Sequence, residues 1–567
     1  MSYFNCAISY VPAETGERPQ GTDSRVLYGG RQRHGAGCLT EQQQEEKLKK
    51  RFLSLTLALI FALSVTGCAG TAASGQGSSA PASTSAEEAP DAEPTAPAAG
   101  GEFVYGLSTE VDNFDPFVAT TADAKSIYFN IYEGLVKVTP EGTFEPAVAS
   151  AYEVSEDATQ YTFTLRDGVK FHNGNAVTME DVLYSVQHAI DSGITGYSNI
   201  AEFTAADDHT LVVKLTDPST DFLANASTAI IPAGSDDNGE HALNPVGTGP
   251  FRFTEYAVQD HVTLERFDEY WGTPAYLDRV TVKFIASSSD SLMNFQSGAI
   301  DGFTANAGIT EQVNKETSRL FVANSNAVQL LALNNSVAPF DDVRVRQALS
   351  YAVNSDEVIE TVNYGYGVKL GSGLIPGLTA FYDESLASVY DTDVEKAKQL
   401  LTEAGYPDGF EFTIRVPSVY QVHVDTASVI VNELSQIGVT AKIELVDWAT
   451  WLENVYTNRD YEATIISLDG SIASPTAFLS RYVSTAHNNF VNFASDDYDE
   501  AYVAAVAAIE ETERVDAFRR CQQILNEEAA SVYIQDISNI LVYSDRFDGY
   551  VGYPLYAVDF SVIYQVQ

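Results

Sequence analysis

The chain has 567 residues, 78 Asp and Glu against 32 Lys and Arg, and a formal net charge of −46. A field that acidic repels nucleic acid and anionic lipid, so no nucleic-acid partner is expected. Four cysteines supply neither a disulfide framework nor a Cys-based metal site, and the length calls for two or three domains rather than one core.

In chain order, residues 1–46 carry Cys6 and Cys38 but no apolar periodicity, and are expected to be a non-native upstream extension. Residues 47–67 open on Lys47, Lys49, Lys50 and Arg51, continue as an uncharged apolar run from Phe52 to Val65, and end on Thr66-Gly67. Basic, apolar, small is the order of a secretory signal, and the run falls short of the roughly 20 residues a spanning helix needs. With Cys68 next, the stretch resembles a bacterial lipobox, which implies lipidation of Cys68 and a mature chain tethered to the cell membrane. The segment 68–100 is almost entirely Ala, Gly, Ser, Thr and Pro, the composition of a flexible, disordered linker.

From residue 101 onward, strands alternate with helices. Strands are predicted over Phe103–Leu107, Tyr161–Leu165, a short return at Val169–Phe171, Thr210–Leu215, Val262–Phe267 and Val280–Ile285. Helical spacing covers Ala124–Leu135, and Thr178-Met179-Glu180-Asp181 reads as a capping box opening a helix to about Ile190. A further helix is expected around Ser291–Ser297, and stronger ones over Asp342–Val353 and Asp393–Ala404. Phe410–Val416, a helix over Thr426–Ile437 and Thr440–Val446 form a βαβ-like unit. Two Ala/Glu-rich helices, Tyr498–Glu511 and Thr512–Ala529, close the series, with Cys521 as a buried apolar residue on the second. Gly/Pro-dense breaks near residues 246 and 325 are the expected crossing points between lobes. The class is α/β (mixed α+β).

Several stretches, in order, carry a family resemblance. They are Tyr161–Gly174 (Tyr-Thr-Phe-Thr-Leu-Arg-Asp-Gly-Val-Lys-Phe-His-Asn-Gly) with Thr178 and Asp181-Val182, Val246–Phe251, Tyr270-Trp271-Gly272, Phe340–Leu349, Ala397–Tyr406 and Pro475–Leu479. Together they resemble the peptide/nickel class of extracytoplasmic solute-binding proteins that feed ABC importers, across nearly all of 101–567. The residues themselves read as architecture: His172 as a turn or core histidine, Arg344 and Arg346 as braces of a helix start, Trp271 as a packing residue.

The resemblance implies a two-lobed periplasmic-binding-protein type II fold in its three-domain peptide-binder variant. Residues 101–142, 247–325 and 541–567 would build lobe 1, 143–246 an accessory domain and 326–540 lobe 2. Ligand would be buried as the lobes close. A separate permease and ATPase would be the partners, since the chain has no phosphate-binding loop of its own; a monomer without a cofactor or resident metal is expected.

The ligand contacts implied by the resemblance are mixed. Peptide binders place an Asp, four residues before the Pro of Pro-Thr-x-Phe-Leu, on the ligand ammonium; here that position is Ser471, and the nearest acid is Asp469. Nickel-chelate binders present a His and an Arg at positions occupied by His487 and Gln187, so the nickel pattern is incomplete. Thr121 and Lys125 fall on the cleft-facing helix start, and Trp448 on a pocket-lining aromatic. A small ligand is expected, most readily an oligo- or dipeptide, with a nickel chelate or other non-peptide solute as the alternative. An exported hydrolase or a sensory receptor are the competing classes, and neither Gly-x-Ser-x-Gly nor His-Glu-x-x-His is present for the first.

Overall fold

A computed structural model describes residues 97–566, apart from 112, 119–121, 195, 237–238, 471 and 556. Cys68, its leader and the linker up to residue 96 therefore lie outside the described residues, as do Thr121 and Ser471; the last linker residues are held in the body rather than disordered, with Ala98 bridged to Gln565 and Gly100 N–H bonding the Tyr276 carbonyl at 2.7 Å.

The first strand, β1 (Glu102–Leu107), is followed by α1 (Ala122–Ile131) and the hairpin of β2 (Val136–Val138) and β3 (Phe144–Pro146). Helical spacing in the sequence runs on to Leu135, but the helix stops at Ile131. Gly134 there passes so close to Ser227 that a Cβ would sit 2.4 Å from its carbonyl carbon, and Ile230 N–H bonds the Glu133 carbonyl. A four-stranded antiparallel sheet follows, in the order β4 (Ala149–Val154), β5 (Gln160–Leu165), β7 (Thr210–Leu215), β6 (Ile200–Ala205). Val169–Phe171 is not a ladder strand. Gly174 at φ 86° turns the chain at once, leaving one bridge between Lys170 and Ala176. The capping box at Thr178 forms as expected and opens α2 (Met179–Asp191).

The chain then returns to β1 through β8 (Phe251–Ala257), β9 (His261–Arg266) and β10 (Arg279–Phe284). Helix α3 (Ser288–Gln296), β11 (Gly302–Ala305) and β12 (Ser318–Asn324) complete this half. Its main core is an aromatic cluster around Phe103, Tyr105, Phe114, Phe251 and Phe560.

Lobe 2 begins with β13 (Ala327–Leu333), buried along its whole length, and α4 (Val343–Ala352), capped by Asp342. Buried Arg346 ties α4 to the Phe340, Glu528 and Ala529 carbonyls, which is the bracing role the sequence suggests. Next come β14 (Gly367–Lys369), α5 (Val394–Glu403), β15 (Glu411–Pro417), α6 (Gln421–Ser435), β16 (Thr440–Val446) and β17 (Ala463–Asp469). Strands β15 and β16 are parallel across α6, as a βαβ unit requires. Helices α7 (Pro475–Leu479), α8 (Asp496–Ala507) and α9 (Glu511–Glu527) lead into β18 (Ser531–Ser544), with Cys521 fully buried on α9.

The lobes are joined at two places. One is Ser325-Asn326, between β12 and β13, where Asn326 has φ 60°. The other is β18, whose first residues pair with β13 and whose last pair with β11 and β12. Val246–Pro250 is not a crossing between the lobes. Gly247 and Gly249 lie flush on the end of α1, where a Cβ would meet the Ile131 and Asn130 carbonyls at 2.1 and 2.6 Å. No described helix is long and apolar enough to cross a membrane.

Candidate functional site

Helix α1 is aimed between the lobes, and two cavities meet it on different sides. Asp123 lines a cavity of about 310 Å³, together with Ser108 and Thr304 of the first lobe and Tyr364, Tyr366 and Tyr420 of the second. Lys125, Tyr128 and Phe129 line another of about 550 Å³, which Gly470 and Ile472 of the second lobe and Tyr553 and Leu555 of the C-terminal segment also wall. Two helical positions apart is about 200° of rotation, so neighbouring polar residues on α1 serve opposite cavities. The helix thus presents a carboxylate to one chamber and an ammonium to the other.

The polar groups differ in how far they are already satisfied. Asp123 is 4 % exposed and accepts from Ser108 Oγ at 3.2 Å. In the larger cavity, Lys137 pairs with Glu145 at 3.3 Å, whereas Lys125, half-buried, makes no ion pair among the described residues. Glu133 at the cavity wall accepts from Tyr270 Oη and Trp271 Nε1, each at 2.6 Å. Burial raises its carboxyl pKa, and these donors oppose the rise. Trp271 is a packing residue, with the Arg166 guanidinium over its ring at 4.2 Å. The rest of the wall mixes aromatic rings with the carboxylates of Glu141, Glu145 and Asp559, and Phe129 meets Tyr553 with ring centroids 4.8 Å apart.

The lobes also touch directly. Arg514 of α9 bonds Asp221, which stands before the short Phe222–Asn225 helix of lobe 1, and Ser474 Oγ donates to the same carboxylate. Their side chains are only 15 % and 9 % exposed. Val138 from β2 lies within a core cluster otherwise made of second-lobe residues.

The residues singled out from sequence are distributed unevenly. Lys125 lines the larger cavity. Asp469 ends β17 half-buried and lines neither cavity, although its neighbour Gly470 does; Arg481 holds its main-chain oxygen at 2.9 Å. Trp448 stacks on Trp451 at 5.0 Å and stands edge-on to Tyr420 at 5.5 Å, one ring behind the smaller cavity. Gln187 is exposed and bonded to Asp191 on the outer face of α2, and His487 is exposed on the second lobe, so neither joins the cavities. His172 bonds the main chain of Gly247 and Gly249, and burial lowers its pKa to about 4, a core histidine as expected. Sequence reasoning missed Asp123, although it stands two residues from Lys125 on the same cleft-facing helix.

The family model for bacterial extracellular solute-binding proteins, family 5 (Middle), matches residues 143–490. The chain belongs to this family. It is 28 % identical to the heme-binding protein A of Haemophilus influenzae over 85 % of this chain and 94 % of that one. It is also 28 % identical to the dipeptide-binding protein of Escherichia coli, over 80 % and 92 % of the two chains. Among solved structures, the periplasmic binding protein DppA of Helicobacter pylori in complex with the peptide STSA has a TM-score of 0.68 at 27 % identity, covering 83 % of this chain and 99 % of that one. The expected type II fold and solute-binding role are those of the family, and the protein acts outside the cytoplasm.

Proposed function

We propose that the protein is a membrane-tethered receptor that captures an oligo- or dipeptide between its lobes and passes it to the permease and ATPase of an ABC importer. The observation that carries the peptide reading is the polarity of α1. A zwitterionic peptide long enough to pass the start of the helix would set its ammonium against Asp123 in one chamber and its carboxylate against Lys125 in the other. The peptide-bound and dipeptide-binding relatives support the same ligand class, and lipid on Cys68 would supply the tether. A second reading, a bulky non-peptide solute or a chelate, is favoured by Ser471 in place of an acid and by the aromatic rings in the walls of the larger cavity.

The deciding experiment is native mass spectrometry of co-purifying ligand, followed by a thermal-shift screen of di- to pentapeptides, amino acids and nickel chelates. A true ligand at a hundredfold excess over Kd should stabilise the protein by about 2.7 kcal/mol. If no peptide shifts the transition while a non-peptide solute does, the peptide reading falls.

A further inference from the structure

One cluster of ligating side chains plays no part in the cleft. His188, near the end of α2, has its ring stacked on Tyr184 with centroids 5.9 Å apart and planes 4° apart. Phe117 stands edge-on to it at 4.7 Å. These two rings fix the imidazole plane and therefore the direction of Nε2. That nitrogen faces the carboxylates of Asp115, from the loop after β1, and Asp236, from the loop after the Phe222–Asn225 helix. One donor atom from each of the three residues falls within 4.8 Å of the others.

The internal bonding leaves the cluster short of positive charge. Nε2 lies 3.1 Å from Asp236 Oδ2, but the contact lacks hydrogen-bond geometry, and the buried nitrogen has no hydrogen-bond partner among the described residues. Asp115 is 4 % exposed, and its position is fixed twice: Oδ1 accepts from Phe117 N–H at 2.8 Å, and its own N–H donates to Asn113 Oδ1 at 2.9 Å. A second imidazole, His241, is 1 % exposed with its Nδ1 unpartnered among the described residues, while its Nε2 meets Tyr132 Oη at 2.8 Å. Two carboxylates around an imidazole nitrogen that makes no hydrogen bond among the described residues call for a cation.

We propose that Asp115, His188 and Asp236 form a binding site for a borderline divalent transition-metal ion such as Zn²⁺, with water completing the coordination. One nitrogen and two oxygens without sulfur fit Zn²⁺ or Co²⁺ better than Cu(I), and the imidazole disfavours Ca²⁺ and Mg²⁺. Tetrahedral bonds of about 2.0–2.2 Å place donor atoms roughly 3.3 Å apart. The His188–Asp236 separation meets this already, and the third donor lies within 4.8 Å of the other two, close enough for rotation of the Asp115 carboxyl about its Oδ1 contact to close the set. The ion would tie three separate chain segments together directly behind Phe117, which walls the larger cavity. The site does not depend on which solute the cleft takes.

The test uses the full chain, stripped with EDTA and dialysed against ZnCl₂, with CoCl₂ as a visible-absorbance probe. One equivalent of Zn²⁺, a Co²⁺ spectrum of low coordination number and a raised melting temperature are expected. His188→Gln and Asp236→Asn should each lower the affinity by at least about tenfold to a hundredfold, while His487→Gln, at an exposed histidine elsewhere, should leave it unchanged. Matching far-UV circular dichroism of the metal-free variants shows that the fold survives, and should one variant not fold, the other carries the test. No stoichiometric binding, or binding that both variants retain, overturns the proposal.

Discussion

The contact between Asp221, Arg514 and Ser474 exists only when the lobes are together, so Asp221→Asn should act on closure rather than on folding. In the open form both charges are in water and the substitution is nearly silent. In the closed form it leaves the Arg514 guanidinium, packed over Phe381 at 4.8 Å, without its counter-charge. Removing one partner of a fully buried pair costs about 3–5 kcal/mol. Side-chain exposures of 15 % and 9 % justify a modest discount, to about 2–3 kcal/mol. That is a shift of roughly 30- to 140-fold in the closed-to-open ratio. Where the ligand-free protein is mostly open, the factor passes directly into the apparent Kd. Asp221 makes no side-chain capping bond to the helix that follows it, so ligand-free stability should barely change. The assay is calorimetric titration of both proteins with one identified ligand, with small-angle scattering to follow closure. An affinity within twofold of the parent at unchanged melting temperature would refute the reasoning, and so would a lowered melting temperature with unchanged affinity.

Three further outcomes are expected. Asp123→Asn should weaken peptide binding by about 1.5–3 kcal/mol, since a desolvated ammonium loses its charged acceptor; Asp469→Asn should have little effect, and the reverse order of the two would return the role to the residue suggested by sequence. Cys68→Ala should release the protein from membranes without altering its fold, as fractionation after a high-salt wash will show. Asp536, fully buried at the crossing with Oδ1 accepting from Ser325 Oγ at 2.9 Å and Oδ2 without a hydrogen-bond partner among the described residues, has its pKa pushed up to about 7 by burial. The native state therefore holds a proton that the unfolded chain releases near pH 4, so this group's contribution is full below about pH 4 and lost as pH rises through about 7, a span worth about 4 kcal/mol. Asp536→Asn should flatten that part of the pH–stability curve and raise stability at pH 8; an unaltered slope in denaturant melts would exclude it.

What the sequence made legible was local. Asp342 and Asp393 cap their helices, and Thr178 with Asp181 forms the expected box, because caps depend on residues a few positions apart. The βαβ unit around α6 was visible from periodicity alone. The helix through α1 was overextended because its stop comes from the Ser227 main chain, far away in sequence. The break at Val246–Pro250 misled for a related reason: its glycines serve close packing on α1 rather than a change of lobe. The crossing in β18 was hidden for the opposite reason. Ser531–Ser544 is one regular strand, and only its change of pairing partners marks the passage between lobes. Of the site, Lys125 was found and Asp123 overlooked, since sequence spacing does not say which side of a helix faces which chamber.

Closure and ligand contact share a single loop, and this makes recognition more than the filling of a cavity. Gly470 and Ile472 wall the larger chamber, and Ser474, two residues on, donates to Asp221 across the lobes while its hydroxyl also caps α7 by accepting from Thr476 N–H at 3.2 Å. Arg481 bonds the carbonyls of Asp469 and Ala477, on either side of these contacts. A ligand that fits against Gly470 and Ile472 therefore leaves Ser474 where the Asp221 carboxylate can accept from it. One that displaces the loop weakens the latch as well as its own contacts. Discrimination then arises from the product of two equilibria, and a poorly seated solute is penalised in the closed-to-open ratio even where its own contacts are adequate.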